Sequence, residues 1–304
     1  MSRVLALAVL AMMTFAPQTF AQGREALGNG RLVTNDLYGD TADRWQSGSV
    51  AGSHVVGHGW TGFLPDRPFD IIEYRINAQV ATPAKLGTPA AGDRPFAGVL
   101  SLGAHSHFAR AGFEFAVGAD LAFTGPQTGL SALHVALHDL LGTKGASKSV
   151  TDNQIGNGIH PTFVGEAGRS FNFGNATSVR PFVETRWGLE TLVRAGADLT
   201  IGNVGQGELL VRDPVTGQRY RVVKQLMPGF SYVLGGDIAY VDSSALLPTD
   251  RGYDLTDTRS RVRAGVHWQG DRNAAFYGVT YLSEEYTAQP KGQVVGSVRL
   301  DFKF

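Results

Sequence analysis

The stretch Arg261-Val262-Arg263-Ala264-Gly265-Val266-His267-Trp268-Gln269 decides the fold, because apolar and polar residues alternate along it. A period of two residues is that of a β-strand whose two faces meet different surroundings. One face carries only apolar side chains, and the other carries two arginines, a histidine and a glutamine. The same alternation recurs at 69–80, 99–108, 113–123, 231–240 and 298–304. The chain is therefore predicted to be all-β.

This alternation fits two architectures, a secreted lectin-like sandwich and a transmembrane barrel. In a sandwich the apolar face is the core, whereas in a membrane barrel it faces lipid. Tyr, Phe and Trp lie near the strand ends on the apolar face, as in the aromatic girdle of a membrane barrel. The polar face mixes charges with many of the 39 glycines, which suits a crowded, hydrated lumen. These features favour a single transmembrane antiparallel β-barrel.

The alternating segments predict about 12 strands, an even number as expected for a bacterial barrel. They are predicted to begin near Leu27, Asp43, Phe69, Pro95, Ala111, Ile155, Val179, Ala195, Met227, Arg259, Ala274 and Val294. No internal repeat or linker divides the chain, so residues 22–304 are predicted to form one domain.

Residues 1–21 are predicted to be a secretory signal peptide. Arg3 precedes an apolar run from Val4 to Phe15, and Ala21 supplies a small residue for cleavage. No later apolar run reaches the 18 or so residues that a spanning helix needs. The signal peptide and the aromatic carboxyl terminus at Phe304 fit insertion into a bacterial outer membrane.

The composition excludes several classes of function. Basic and acidic residues balance at 27 each, so nothing indicates a nucleic-acid partner. The chain has no cysteine, which excludes disulfides and thiol chemistry. We expect a monomer whose partners are outer-membrane lipids.

One segment departs from the strand pattern and predicts a short helix, between the fifth and sixth strands. Gly-Pro at 125–126 and Gly142 bound it, and leucines recur within it every three or four residues. If the amino terminus starts in the periplasm, this helix is extracellular. His134 and His138 share one face of it. A zinc-protease helix is disfavoured because Val135 stands where that motif needs glutamate; a general base or an ordinary surface helix are the remaining alternatives.

Three other polar stretches are candidate site elements. Asn35 and Asp36 offer hard oxygen ligands suited to calcium, although Asn-Asp is also ordinary turn chemistry. Arg94, in Gly92–Gly98, could bind a phosphate or an oxyanion, or simply pair with Asp93. The third stretch, Thr151–Gln154, could be part of a site or a capped loop.

In combination, these motifs resemble the LpxR family of outer-membrane lipid A deacylases. The resemblance rests on Asn35-Asp36, Gly48, the Asp93–Gly98 stretch, Gly125-Pro126 with the helix ending in His138–Gly142, Asp152-Asn153-Gln154, and the closing segments from Tyr281 to Phe304. It covers nearly the whole chain after the signal peptide. It implies a twelve-stranded barrel that hydrolyses the ester holding the 3′-acyloxyacyl group on lipid A, with calcium at the site.

The resemblance also implies roles for individual residues. Asn35 and Asp36 would hold calcium and belong to the catalytic centre, and His138 would be the base. Arg94 would contact a lipid A phosphate or the ester, with Thr61 and His134 also at the substrate. The family pattern has glutamine at the position of His134, and a carboxylate a few residues after the helix histidine. Lys144 stands near that second position, with Asp139 and Asp152 as the nearest acidic residues. The alternative function is a catalytically inactive barrel of the same family, porin-like or surface-binding.

Overall fold

The computed structural model describes residues 23–302, so the predicted signal peptide at 1–21 lies outside the described residues. Within this range the strands are β1 (Glu25–Asn35), β2 (Trp45–Gly57), β3 (Ile71–Thr82), β4 (Ala97–Arg110), β5 (Phe113–Thr124), β6 (Gly158–Gly168), β7 (Phe171–Phe173), β8 (Thr177–Trp187), β9 (Glu190–Ile201), β10 (Leu209–Arg212), β11 (Arg219–Val223), β12 (Gly229–Ser244), β13 (Thr258–Gln269), β14 (Ala274–Leu282) and β15 (Gln293–Asp301). The helices in the same range are α1 (Leu130–Leu141) and α2 (Lys148–Asp152). Neither is long and apolar enough to cross a membrane.

The long strands close into one antiparallel barrel, which confirms the predicted fold class. Apart from the short β7, β10 and β11, twelve strands of the described range pair with a neighbour on both sides. β1 pairs with β15, and β6 pairs with β8, so the sheet has no free edge along its long strands. Each of the twelve begins within five residues of its predicted start. α1 lies between the fifth and sixth strands, as predicted.

The two faces of the wall have the chemistry that the alternation predicts. On β13, Val262 is 60% exposed and points outward, whereas Arg261 is buried in the lumen. Arg261 Nε lies 2.9 Å from Asp237 Oδ1 on β12. Pairing of this kind recurs throughout the lumen, because an isolated buried charge costs several kcal/mol. An apolar outer belt and a charged interior are the arrangement that a membrane barrel requires.

A hairpin formed by β10 and β11 folds into the lumen, and the sequence analysis did not predict it. Its apolar side chains pack on Leu32, Ala51 and Val55, which face inward from β1 and β2. On the opposite side, Arg212 lies 2.7 Å from Glu166 on β6 and 2.9 Å from Asp198 on β9. Most of its side chains are buried against the wall, although Leu210 and Arg219 line a cavity in the lumen. Its short strands therefore show no regular alternation that would reveal them. It replaces part of the expected water-filled lumen with packed protein.

The close approach of this hairpin to β1 requires glycine. A Cβ atom added at Gly28 would lie 2.2 Å from the carbonyl oxygen of Val222. A Cβ atom at Gly30 would lie 2.6 Å from the carbonyl oxygen of Arg221. Both positions exclude a side chain, since the backbones of β1 and β11 are in direct contact.

The connections divide the barrel into two ends. We call the end formed by residues 36–44, 83–96, 125–157, 188–189, 245–257 and 283–292 the loop end. The opposite end, where β1 begins and β15 finishes, is the terminal end. α1 lies at the loop end on the outer face of the wall. A Cβ atom at Gly98 would lie 3.0 Å from Leu130 Cβ, and the ring of Phe96 meets that of His134 edge-on, with centroids 5.5 Å apart. The helix therefore covers β4 from outside rather than capping the lumen.

Candidate active site

Asn35 is the last residue of β1 and lies at one side of the site. Thr34 points into the lumen, where its hydroxyl lies 2.8 Å from Ser297 Oγ, so alternation turns Asn35 to the outer face. Asn35 Oδ1 accepts a hydrogen bond from Leu37 N at 2.9 Å and caps the short helical turn at Asp36–Tyr38. Its Nδ2 donates to the Ser47 carbonyl at 2.9 Å. These contacts fix the chain at the start of the β1–β2 connection.

Asp36 is a buried carboxylate without a cationic partner. It is 3% exposed, and its Oδ2 accepts a hydrogen bond from Arg44 N at 3.2 Å. No Lys or Arg side chain within residues 23–302 forms an ion pair with it. Burial, and then the neighbouring carboxylate of Asp43, raise the pKa of Asp36 to about 8.

α1 supplies two histidines to the same region. The helix begins after Gly129 and ends before Gly142, both left-handed, at φ 70° and 68°, which favours glycine. The rings of His134 and His138 lie with their centroids 4.4 Å apart on the face turned to the wall. Burial, and then the neighbouring His138, lower the pKa of His134 to about 4. His134 is therefore neutral at physiological pH.

Asp43 joins the β1–β2 connection to α1. Its Oδ2 lies 3.0 Å from His138 Nε2, and its Oδ1 accepts a hydrogen bond from Ser47 Oγ at 2.7 Å. The other ring nitrogen of His138, Nδ1, lies 2.9 Å from Thr143 Oγ1. Asp36 and His138, about a hundred positions apart in sequence, thus meet through Asp43 at one end and on one face of the barrel.

Sequence reasoning missed Asp43 as a site residue and named it only as a strand start. Of the acidic residues nearest to the expected position, Asp139 is exposed and Asp152 pairs with Lys148 at 2.8 Å. The carboxylate that lies beside His138 is instead that of Asp43, in the β1–β2 connection that begins after Asn35. The signal available in the sequence was proximity: Asp43 lies in the turn between Asn35 and Gly48, both already attributed to the family pattern.

Arg94 does not join this cluster. Its side chain is buried and ion-paired with Glu285, which also lies 3.5 Å from Arg259 at the lumen side of β13. Its backbone N–H lies within hydrogen-bonding distance of Asp93 Oδ1, at 2.9 Å. The sequence left two alternatives for Arg94, an anion ligand or one member of an ion pair. The structure shows an ion pair, with Glu285 rather than Asp93 as the partner.

Thr61 also lies elsewhere, and its expected place in the site is wrong. It is an exposed residue of the 58–70 connection between β2 and β3, at the terminal end. The adjacent Trp60 Nε1 donates to the Gly207 carbonyl of the segment leading into the inward hairpin, at 2.8 Å. The full length of β2 separates Thr61 from His138, so the two side chains cannot contact one substrate group.

Two sets of side chains could hold a cation. Asp36 and Asp43 offer carboxylate oxygens beside the amide of Asn35, the oxygen ligands that calcium prefers. The buried, unpaired Asp36 and its raised pKa fit this use, since a cation would relieve the repulsion between the two carboxylates. Asp43, His134 and His138 each offer one ligand atom, all within 4.8 Å of one another.

The fold and the position of the site define a class of protein. A closed antiparallel barrel with an apolar outer belt and a charged interior is an outer-membrane protein, here with a polar cluster on its outer face at one rim. A family model described as "Outer membrane protein LpxR" matches residues 4–304, and the chain belongs to this family.

One of the solved structures that the chain resembles supports the fold. LpxR from Salmonella typhimurium superposes with a TM-score of 0.72 at 18% identity, over 91% of this chain and 100% of that one. The NanC porin matches at a TM-score of 0.43 and 7% identity, covering 91% of this chain and 100% of that chain. The KdgM porin matches at 0.37 and 8%, covering 91% and 98%. No curated protein sequence matches the chain significantly.

Proposed function

We propose that this protein is a calcium-dependent ester hydrolase that removes the 3′-acyloxyacyl group from lipid A in the outer membrane. The observation that carries the proposal is the meeting of Asp36, Asp43 and His138 beneath α1, on the outer face of the wall. Membership of the LpxR family supports lipid A as the substrate, as the sequence resemblance implies.

The surroundings of the cluster suit a lipid substrate. Leu140 and Leu141 on α1 are 79% and 70% exposed, and Leu37, next to Asp36, is 59% exposed. Apolar side chains in such positions at a membrane interface favour acyl chains over water. An ester placed at the cluster would therefore have its acyl chains along the outer wall, and its sugar toward the loop end.

Calcium is proposed to bind at Asp36 and Asn35, with Asp43 as a further oxygen ligand. Asp36 would have to lose its proton to bind, and the ion would replace that proton between the two carboxylates. When bound, calcium supplies positive charge that stabilises the oxyanion formed at the ester carbonyl.

His138 is proposed as the base. Its Nε2 takes a proton from water as the water oxygen attacks the ester carbonyl carbon, and Asp43, 3.0 Å away, stabilises the resulting imidazolium. Collapse of the tetrahedral intermediate breaks the bond to the sugar oxygen, which receives the proton from His138. The products are a free acyloxyacyl carboxylate and lipid A with a 3′-hydroxyl group. His134, beside His138, is proposed to line the substrate pocket.

The inward hairpin argues against the porin-like alternative. β10 and β11 contact both sides of the lumen through Arg212, Tyr220 and Val222, so protein fills the path that solutes would take. An enzyme whose site lies on the outer wall has no need of an open lumen. The competing function is a surface-binding barrel without activity, and an activity assay distinguishes it from the proposed hydrolase.

The test is lipid A analysis after expression in the outer membrane of a Gram-negative host with fully acylated lipid A. Mass spectrometry is expected to show loss of the acyloxyacyl group with the wild type and with His58→Ala, a matched histidine change at the terminal end. His138→Ala, or chelation of calcium in isolated membranes, should leave lipid A intact. Intact lipid A in the presence of well-expressed, folded wild type would instead favour the inactive barrel.

A further inference from the structure

We propose that Asp43, His134 and His138 form a binding site for a divalent transition-metal ion such as Zn²⁺, in addition to the calcium site proposed above. The binding itself does not depend on the hydrolase activity. Only the consequence for catalysis, argued below, rests on the proposed function.

The first reason is that His134 and Asp43 have buried ligand atoms without hydrogen-bond partners in the described range, and one such atom of each lies close to His138. His134 is 7% exposed, yet neither Nδ1 nor Nε2 has a hydrogen-bond partner within the described residues. Asp43 Oδ2 also lacks a hydrogen bond of acceptable geometry in that range, although His138 Nε2 lies 3.0 Å from it. Leaving buried polar groups unsatisfied is unfavourable. A bound cation would satisfy Asp43 Oδ2 and one ring nitrogen of His134 together.

The spacing of the ligand atoms fits a small ion. The candidate atoms of the three residues lie within 4.8 Å of one another. Ligands about 2.0–2.2 Å from a tetrahedral Zn²⁺ stand roughly 3.3–3.6 Å apart, so only small side-chain movements are needed. Three protein ligands leave a fourth position open for water.

The neighbouring hydrogen bonds orient two of the ligands. Thr143 Oγ1 lies 2.9 Å from His138 Nδ1 and can donate its own proton to the His138 carbonyl at 3.4 Å, so it can accept from Nδ1–H. That tautomer leaves the Nε2 lone pair free for a metal ion. Ser47 Oγ donates to Asp43 Oδ1, which leaves Oδ2 available. Supporting bonds of this kind are typical around metal-binding histidines and carboxylates.

The ligand chemistry selects against calcium at this position. Calcium takes six to eight oxygen ligands, whereas two imidazoles and one carboxylate suit zinc, cobalt or nickel. His134 makes the difference, because it adds a second imidazole nitrogen that has no hydrogen-bond partner in the described range.

Occupancy of this site would inhibit hydrolysis. A metal ion bound to His138 Nε2 uses the lone pair that would otherwise accept the proton from water. Asp43 would also be shared between the ion and the proposed calcium site. Zinc is therefore expected to act as an inhibitor that calcium does not fully displace.

Cobalt binding to the full-length protein, purified in detergent and freed of metal with a chelator, tests the site directly. Wild type and His58→Gln should bind one equivalent of Co²⁺ with visible absorption bands of an ion held by nitrogen and oxygen ligands, and Zn²⁺ should remove the bands. His134→Gln, His138→Gln and Asp43→Asn should each lower the affinity at least tenfold. Folding of every variant is checked by the heat-dependent gel mobility of the barrel.

Three outcomes would overturn the proposal: no cobalt bands in the wild type at millimolar Co²⁺, unchanged bands in folded His134→Gln, or loss of the bands on adding calcium alone. A second measurement adds Zn²⁺ to the lipid A assay at saturating calcium. Wild-type hydrolysis should fall at least tenfold, and that of His134→Gln by a smaller factor. Cobalt binding without any hydrolysis would reject the proposed function but support the metal site. Hydrolysis without cobalt binding would support the proposed function and reject the metal site.

Discussion

Replacing Asp43 with asparagine is expected to lower the turnover number for lipid A hydrolysis by about 10- to 30-fold. The substitution keeps the size of the side chain and removes its charge. Since Asp43 Oδ2 lies 3.0 Å from His138 Nε2, the wild-type carboxylate would stabilise the imidazolium that forms when His138, the proposed base, takes a proton. Asparagine cannot supply this charge.

The magnitude follows from the exposure of the pair. A charge-assisted hydrogen bond contributes about 1.5–3 kcal/mol. The side chains of His138 and Asp43 are 18% and 28% exposed, so water screens part of the interaction and the lower part of the range applies. A loss of about 1.5–2 kcal/mol in the transition state corresponds to about 10- to 30-fold in rate.

The assay is release of the acyloxyacyl group from lipid A in mixed micelles, with kcat and KM measured at saturating calcium to separate weaker ion binding from slower chemistry. Asp40→Asn is the matched control, because Asp40 lies in the same connection and pairs with Arg44 rather than with His138. It should remain within about twofold of the wild type. The reasoning is refuted if folded Asp43→Asn keeps the wild-type kcat, or if Asp40→Asn loses as much.

Four further predictions concern calcium affinity, stability without calcium, the lumen and Arg94. Because the pKa of Asp36 is about 8, calcium must displace its proton at lower pH. Calorimetry should therefore show that the apparent affinity of the wild type for calcium rises by up to about tenfold per pH unit from pH 6 to 8. Asp36→Asn should not show this rise. Without calcium, the free energy of unfolding should fall between about pH 4 and 8, since folded Asp36 holds a proton that the unfolded carboxyl, with its ordinary pKa of 3.8, has lost. In planar bilayers the wild type should conduct poorly, and replacing 208–223 with a short Gly-Ser linker should produce steady channels; open wild-type channels would contradict the packed lumen. Arg94→Ala should lower stability to denaturant by about 2 kcal/mol, since it removes the nearer of the two arginines that pair with Glu285 and leaves only Arg259. KM for lipid A should be nearly unchanged, and a large rise in KM at normal stability would show that Arg94 contacts the substrate.

The wall of the barrel was predictable because each long strand separates lipid from a polar interior. Apolar and polar residues therefore alternate along each strand, as Val262 does with Arg261 and Arg263. The hairpin of β10 and β11 was not predictable in the same way. Val222 and Arg221, on opposite faces of β11, are both buried, so these residues are determined by packing and pairing partners rather than by a solvent boundary.

The candidate site was predictable where function depends on a local motif, and not where it depends on a distant contact. The β1 end at Asn35-Asp36 and the helix with His134 and His138 could be identified from short segments and their order. Asp43 could not, because its relation to His138 exists only once the β1–β2 connection meets α1. Thr61 was misplaced for the same reason: a hydroxyl residue near β2 gives no indication of which end of the strand it occupies.

The position of Asp43 has a consequence for how the site works as a unit. The carboxylate beside His138 comes from the β1–β2 connection rather than from the residues shortly after the helix, so the proposed base and its carboxylate lie on separate elements. Any shift of α1 away from the wall would then separate His138 from both Asp43 and Asp36 at once. The packing that prevents this includes Phe96 against His134, Leu130 over Gly98, and Val135 against the buried cluster around Phe96. Assembly of the proposed catalytic centre therefore depends on how α1 is seated on β4, and this contact, rather than the rigid barrel beneath it, is where sequence changes in related proteins would most readily alter activity.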